Sequence, residues 1–194
     1  MISSFSSVTA AAFIRRGARP ASLFARPVLS LSRRNVSVGA QVPAVQLKEV
    51  VGDDVNDVLS TNFFKGKKVV LIGLPAAFSP TCSEKHVPGY LAHIEEFKKK
   101  GIDKVAVLAV NDFFTMKAWA KTQGVGTKLT FLADGNGEMT KALGVELDLS
   151  KALLGVRCKR FSMVVEDGVV KAAAIEPDGT GYTVSSAENT LKQV

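Results

Sequence analysis

Val69-Val70-Leu71-Ile72-Gly73-Leu74, followed by Pro75-Ala76-Ala77-Phe78-Ser79-Pro80-Thr81-Cys82-Ser83-Glu84-Lys85-His86-Val87-Pro88-Gly89-Tyr90, decides the architecture of this chain. The first six residues carry no polar side chain, so both faces of an extended segment would be covered, as in an interior strand of an α/β sheet. The period then changes: Tyr90, Leu91, Ile94 and Phe97 recur at helical spacing, with Lys85, Glu95, Lys98 and Lys99 on the other side. A strand therefore hands over to a helix that begins near Pro80 and runs to about Lys100. Pro88 removes one backbone donor and is expected to kink this helix at its second turn.

Outward from this junction the alternation continues. Val45–Val51 reads as a first strand and Lys104–Val110 as another buried one, after which Asn111-Asp112 caps a helix through Met116, Trp119 and Ala120 that ends at Gly124. Leu129–Leu132 is a strand and Gly135–Leu143 a short helix closed by Gly144. Phe161–Val165 and Val169–Ile175 form a hairpin turning at Glu166-Asp167-Gly168, and Ser185–Gln193 closes as a helix. The pattern predicts one α/β domain over residues 38–194, with a central sheet flanked by helices.

Of 194 residues, 46% are apolar and 22% charged, a composition suited to a globular domain. No window reaches the roughly 18 apolar residues that a membrane-spanning helix needs, so no membrane partner is expected. The net charge of +7 invites a nucleic-acid reading, but its location argues otherwise. Residues 1–40 contain six arginines, no lysine and no acid among many Ser and Ala, leaving 19 basic residues against 18 acids in the remainder. That segment has the composition of an organelle transit peptide, expected over residues 1–37 with removal near Arg33-Arg34-Asn35-Val36-Ser37. Its apolar stretches are broken by Arg and Pro, which favours a mitochondrial matrix address over a secretory signal; a plastid is the alternative.

Two cysteines do not make a disulfide framework, so each is judged as a single thiol. Cys82 falls where a buried strand meets a helix start. Unpaired N–H groups and the positive end of the helix dipole there stabilise a thiolate. The plain alternative is a small buried hydrophobe. Ser79, three residues upstream, is close enough to hydrogen-bond the sulfur, or else serves with Thr81 as an ordinary cap. His86, four residues after Cys82, shares its helical face, so a Cys-His nucleophilic pair is conceivable, although nothing marks a third residue to orient it. His86 and His93 with two distant cysteines match no zinc spacing, and neither a metal nor a cofactor is expected.

Pro75, Ser79 and Cys82, in the arrangement Pro-x-x-x-Ser-x-x-Cys, resemble the active-site signature of peroxiredoxins. The likeness extends through Ser83–Gly89, Val110-Asn111-Asp112, Leu132–Glu138 and Arg160-Phe161-Ser162-Met163-Val164-Val165, where it is similar to the type II, peroxiredoxin 5-like subfamily. The resemblance implies a thioredoxin-like fold with a central mixed β-sheet and a homodimer formed by loops around the site. It also implies a thiol-dependent peroxidase acting on hydrogen peroxide and alkyl hydroperoxides. Cys82 would attack one peroxide oxygen and become a sulfenic acid. Backbone N–H groups of Thr81 and Cys82, the Ser79 hydroxyl and Arg160 would stabilise the developing charge, and Pro75 would shield the sulfur. Arg157 and Lys159 lie nearby as competitors for the arginine's role. Phe113, Phe114 and Trp119 are core residues or contacts of the expected homodimer.

The chain departs from the family at the second thiol. The two positions where type II members carry a resolving cysteine are Val107 and Val184 here. Cys158, two residues before Arg160, would share a face with it only if the strand had already begun, and so is a weak candidate for a resolving thiol. An external reductant, glutathione with glutaredoxin or thioredoxin, is the default expectation. Two rivals remain: a redox sensor that registers oxidation without turnover, and a disulfide reductase, which would want Cys-x-x-Cys where Lys85 stands.

Overall fold

The computed structural model describes residues 36–194, so the expected leader lies outside the described residues except for its last two positions. The elements in chain order begin with strands β1 (Gln46–Val51) and β2 (Asp54–Leu59), helix α1 (Ser60–Phe64) and strand β3 (Lys68–Gly73). A π-helical turn (Cys82–His86) leads into α2 (Val87–Ala92) and α3 (Ile94–Lys99). Then come β4 (Lys104–Ala109), α4 (Phe113–Thr122), β5 (Thr130–Ala133), α5 (Glu138–Leu143), β6 (Glu146–Asp148) and β7 (Val156–Cys158). The hairpin β8 (Phe161–Glu166) and β9 (Val169–Ile175) precedes the last helix, α6 (Ala187–Leu191).

Seven strands form one mixed sheet in the order β2-β1-β5-β4-β3-β8-β9. β3 runs parallel to β4 and antiparallel to β8, with Val70 opposite Val105 on one side and Val164 on the other. Its apolar run is divided by the two-residue period of a strand: Val70, Ile72 and Leu74 enter one core, Val69 and Leu71 the other. The same division holds in β4, where Val105, Val107 and Ala109 face opposite to Ala106 and Leu108. The first core is completed by Tyr90 and Phe97 of α2 and α3 and by Met116 and Trp119 of α4; the second by Phe63 and Phe64 of α1 and Met139 and Leu143 of α5. Helices thus cover both faces of a mixed sheet.

Several expectations need correction. The helix after β3 starts at Pro80, but its second turn is a π turn and not regular α-helix. The Val87 N–H reaches back five residues to the Cys82 carbonyl, and this wide π turn accommodates the proline, whose ring would collide with the Glu84 carbonyl in a regular helix. A break between α2 and α3, not expected from the sequence, comes at His93 (φ −98°, ψ 12°), where the ring Nδ1 and the backbone N–H both meet the Gly89 carbonyl, at 2.9 and 3.3 Å. Strand β2, helix α1 and the two-stranded ribbon β6–β7 are further elements that the alternation did not disclose. At the β8–β9 hairpin both Asp167 (φ 46°) and Gly168 (φ 77°) are left-handed, the conformation a two-residue primed turn demands.

Candidate active site

The loop from Pro75 to Thr81 carries the site out of the end of β3. Pro75 is buried, Ala77 N–H donates to Asn111 Oδ1 at 3.1 Å, and the one left-handed residue of the loop is Phe78 (φ 62°), whose ring lies 6.3 Å from that of Trp119. Trp119 Nε1 donates to Ser83 Oγ at 3.1 Å and pins the turn from the other side. Trp119 is therefore fully buried core, not an interface residue; Phe113 is partly buried against the same core, and Phe114 is 73% exposed.

Cys82 sits at the head of the π turn and is fully buried. The first N–H of the turn to close back is that of Ser83, on the Ser79 carbonyl at 2.9 Å; among the described residues those of Thr81 and Cys82 have no backbone acceptor. The Ser79 hydroxyl does not reach the sulfur as expected. It donates to the Ala76 carbonyl at 2.9 Å, closing the loop on itself.

Arg160 comes to Cys82 from across the sheet. It lies between the end of β7 and the start of β8, held by its own N–H on the Gly179 carbonyl (2.7 Å) and by Nε on the Thr180 carbonyl (3.1 Å). Its side chain is 3% exposed, and Nη1 donates to Cys82 Sγ at 3.4 Å and to His86 Nδ1 at 3.1 Å. Among the described residues no carboxylate forms an ion pair with it. A buried cation without a carboxylate needs another electron-rich partner, and the sulfur and imidazole are what it faces. Arg157, the competitor, points elsewhere: Nη1 to the Val110 carbonyl and Nε to the Leu154 carbonyl, both at 2.7 Å.

His86 is joined to this site more closely than sequence spacing conveyed. Its Nε2 lies 3.2 Å from the Ser185 carbonyl, and its ring packs edge-on to Tyr90 and Tyr182. Burial first, then the Arg160 charge, push its pKa down to about 3, so it is a neutral imidazole. A neutral, buried histidine bonded to a cation is not the base of a Cys-His hydrolase pair. Tyr90, buried beside it, donates to the Ser185 carbonyl at 2.9 Å and shares a 2.6 Å bond with Thr190 Oγ1. Sequence reading missed Glu176, which anchors the Thr183–Ser185 segment; the one available signal was an acid directly after the apolar strand end Ala172-Ala173-Ala174-Ile175.

Cys158 is separated from Cys82. It ends β7, a break of two residues precedes β8, and it packs in the core on the opposite face of the sheet. It shares neither a strand nor a face with Arg160 in the way the weak resolving role required. Burial pushes its thiol up to about 12, which keeps it protonated where it stands. Val107 is buried in β4, and Val184 is 39% exposed.

Comparison with known proteins identifies the family and agrees with the fold. A Redoxin family model matches residues 37–191. Peroxiredoxin-2C of Oryza sativa subsp. japonica is 47% identical over 158 residues, 81% of this chain and 97% of the relative. Peroxiredoxin-2F, mitochondrial, of Arabidopsis thaliana is 42% identical over 163 residues, 81% of each chain. The crystal structure of peroxiredoxin 5 from Alvinella pompejana superposes with a TM-score of 0.70 at 36% identity, covering 81% of this chain and 97% of that one. With its thioredoxin-like mixed sheet, this chain belongs to the redoxin family and, within it, to the type II, peroxiredoxin 5-like peroxiredoxins, which are thiol-dependent peroxidases.

Proposed function

We propose that Cys82 is the peroxidatic nucleophile and Arg160 the group that binds and polarises the peroxide. The observation that carries this reading is the Arg160 Nη1 to Cys82 Sγ contact of 3.4 Å in a buried site. The Cys82 thiolate attacks one oxygen of hydrogen peroxide or an alkyl hydroperoxide; the S–O bond forms as the O–O bond breaks. The sulfur loses two electrons to the peroxide, and the departing oxygen leaves as water or an alcohol once protonated. Negative charge grows on that oxygen, and the guanidinium together with the N–H groups of Thr81 and Cys82 supplies donors fixed beforehand. Ser79 would join them by turning its hydroxyl from the Ala76 carbonyl to the substrate, and Pro75 keeps bulk water from the sulfur.

An external thiol completes the cycle. With valine at both family positions and Cys158 behind the sheet, a thiolate from glutathione, glutaredoxin or thioredoxin attacks the sulfenic sulfur and releases water, and a second thiol reduces the mixed disulfide. The exposed apolar side chains of Phe78 in the active-site loop (52%) and Phe114 in the first turn of α4 (73%) suit the homodimer face of the family. The arginine-rich, acid-free leader and the relative named as mitochondrial support a mitochondrial matrix location.

Replacing Cys82 by Ser tests the assignment. Purified Cys82→Ser protein is expected to consume no hydrogen peroxide above background with glutathione and glutaredoxin or with thioredoxin. Turnover at the wild-type rate would overturn it, and the donor that sustains wild-type turnover identifies the reductant.

A further inference from the structure

We propose that Glu176 is a positioning residue for the peroxidase reaction, acting on Arg160 through the Ser185 carbonyl and the tautomer of His86. The inference rests on the role assigned to Arg160 above.

Glu176 follows the end of β9 and is 1% exposed. Its Oε1 accepts the N–H groups of Thr183 (2.8 Å), Val184 (2.9 Å) and Ser185 (2.9 Å) and the Ser185 hydroxyl (2.7 Å), while Oε2 accepts the Thr183 hydroxyl at 2.7 Å. Among the described residues no cation forms an ion pair with it. Burial alone would raise its pKa; the bonds from Ser185 and Thr183 outweigh that and bring it down to about 2, so it is a carboxylate at any working pH. Its own N–H donates to the Arg160 carbonyl at 3.0 Å. One residue therefore ties the backbone of Arg160 to the segment that presents the Ser185 carbonyl.

That carbonyl decides how His86 is protonated. A carbonyl only accepts, so the Nε2 that meets it carries the hydrogen, and the Nδ1 lone pair is left to face Arg160 Nη1 at 3.1 Å. A guanidinium only donates. The other tautomer would set N–H against N–H and drive the guanidinium from the position in which it also reaches Cys82. Displacing the Ser185 carbonyl removes the reason for the productive tautomer, although Ser185 touches neither sulfur nor arginine.

The test compares Glu176→Gln, Arg160→Lys and the double variant in the full chain. It measures the rate constant of reduced protein with hydrogen peroxide and the imidazole nitrogen shifts. A glutamine amide keeps one acceptor oxygen for the Thr183–Ser185 N–H groups and turns its N–H₂ to the Thr183 hydroxyl, which must then accept, but it removes the negative charge that strengthens every one of these bonds, so the segment loosens. The expected result is a loss of about tenfold or more in rate, with His86 moving from Nε2–H toward Nδ1–H. His93, the other histidine, whose Nδ1 meets the Gly89 carbonyl, serves as the internal reference and does not change. In the Arg160→Lys background the further loss shrinks to less than about twofold, because both changes disable the same group. A clamp that merely holds the loop would lower the melting temperature while leaving rate and tautomer alone; that outcome, or fully additive losses, overturns the proposal. If Arg160→Lys itself reacts at the wild-type rate, the assignment of Arg160 falls and this inference with it. If Arg160→Lys is slow and Glu176→Gln is not, only the inference falls. Should Glu176→Gln fail to fold, Ser185→Ala and Thr183→Val, each deleting one hydroxyl donor to the carboxylate, carry the same measurements.

Discussion

His86 holds a proton on one nitrogen and a lone pair on the other inside a fully buried site, and this has a cost in acid. Its folded pKa of about 3 lies below the ordinary 6.5, so below pH 6.5 the unfolded chain takes up a proton that the native state refuses. Stability is therefore fully present above 6.5 and falls as the pH drops toward 3, by up to about 1.4 kcal/mol per pH unit. Going from pH 7 to pH 5 is expected to remove about 2 kcal/mol through this group. Urea denaturation at the two pH values, for the native chain and for His86→Gln, measures it; an equal loss in both would assign the acid sensitivity elsewhere. The same neutrality explains why a histidine one helical turn from a reactive cysteine serves here as an acceptor for an arginine and not as a base.

At the scale of elements, β3 and β8 have to approach closely for Arg160 to reach the turn that carries Cys82. Gly73 is paired with Phe161, the residue after Arg160, and a Cβ on Gly73 would overlap the Phe161 ring. The glycine in the otherwise apolar run is thus a matter of inter-strand space, since the phenyl ring lies across it. Gly73→Ala is expected to cost about 1–3 kcal/mol in denaturant unfolding and to slow the reaction with peroxide, because displacement of Phe161 shifts its neighbour. Adding Phe161→Leu should recover part of the stability; no recovery would show that the strain lies elsewhere. The π turn is a second device of this kind. By letting Val87 bond to Cys82 across five residues, it fits Pro88 into a continuous helical path and leaves the Cys82 end of the turn facing Arg160.

Across the whole molecule, the sheet keeps the two thiols in different cores, Cys82 with the α2, α3 and α4 side and Cys158 with the α1 and α5 side. Peroxide treatment without added thiol is expected to place oxygen on Cys82 alone, with Cys158 still reduced and no bond between them by mass spectrometry of the folded protein. A Cys82–Cys158 disulfide would require the β7 region to leave the core and would contradict a cycle completed by an external thiol. Much of this was legible beforehand. The unbroken apolar run Val69–Leu74, the alternation of strands with helical patterns and the Pro75, Ser79, Cys82 arrangement depend on local periods and spacing, which a chain carries in its own order of residues. β2 was not, because Asp54-Val55-Asn56-Asp57-Val58-Leu59 is a polar edge strand, exposed at Asp54, Asn56 and Asp57 and, among the described residues, paired only with β1. The Ser79 hydroxyl turned to its own loop and the two-residue break between Cys158 and β8, in which Arg160 lies, were likewise invisible in spacing. By itself the sequence determined the strand-to-helix junction that exposes the backbone donors around Cys82 and the absence of a second thiol at Val107 and Val184. Only the tertiary structure decided that Arg160, His86, Ser185 and Glu176 form one line of hydrogen bonds to the sulfur. They lie as many as 103 positions from Cys82 along the chain, between Cys82 and Ser185, and only the packing of β8 and β9 beside β3 brings them within reach.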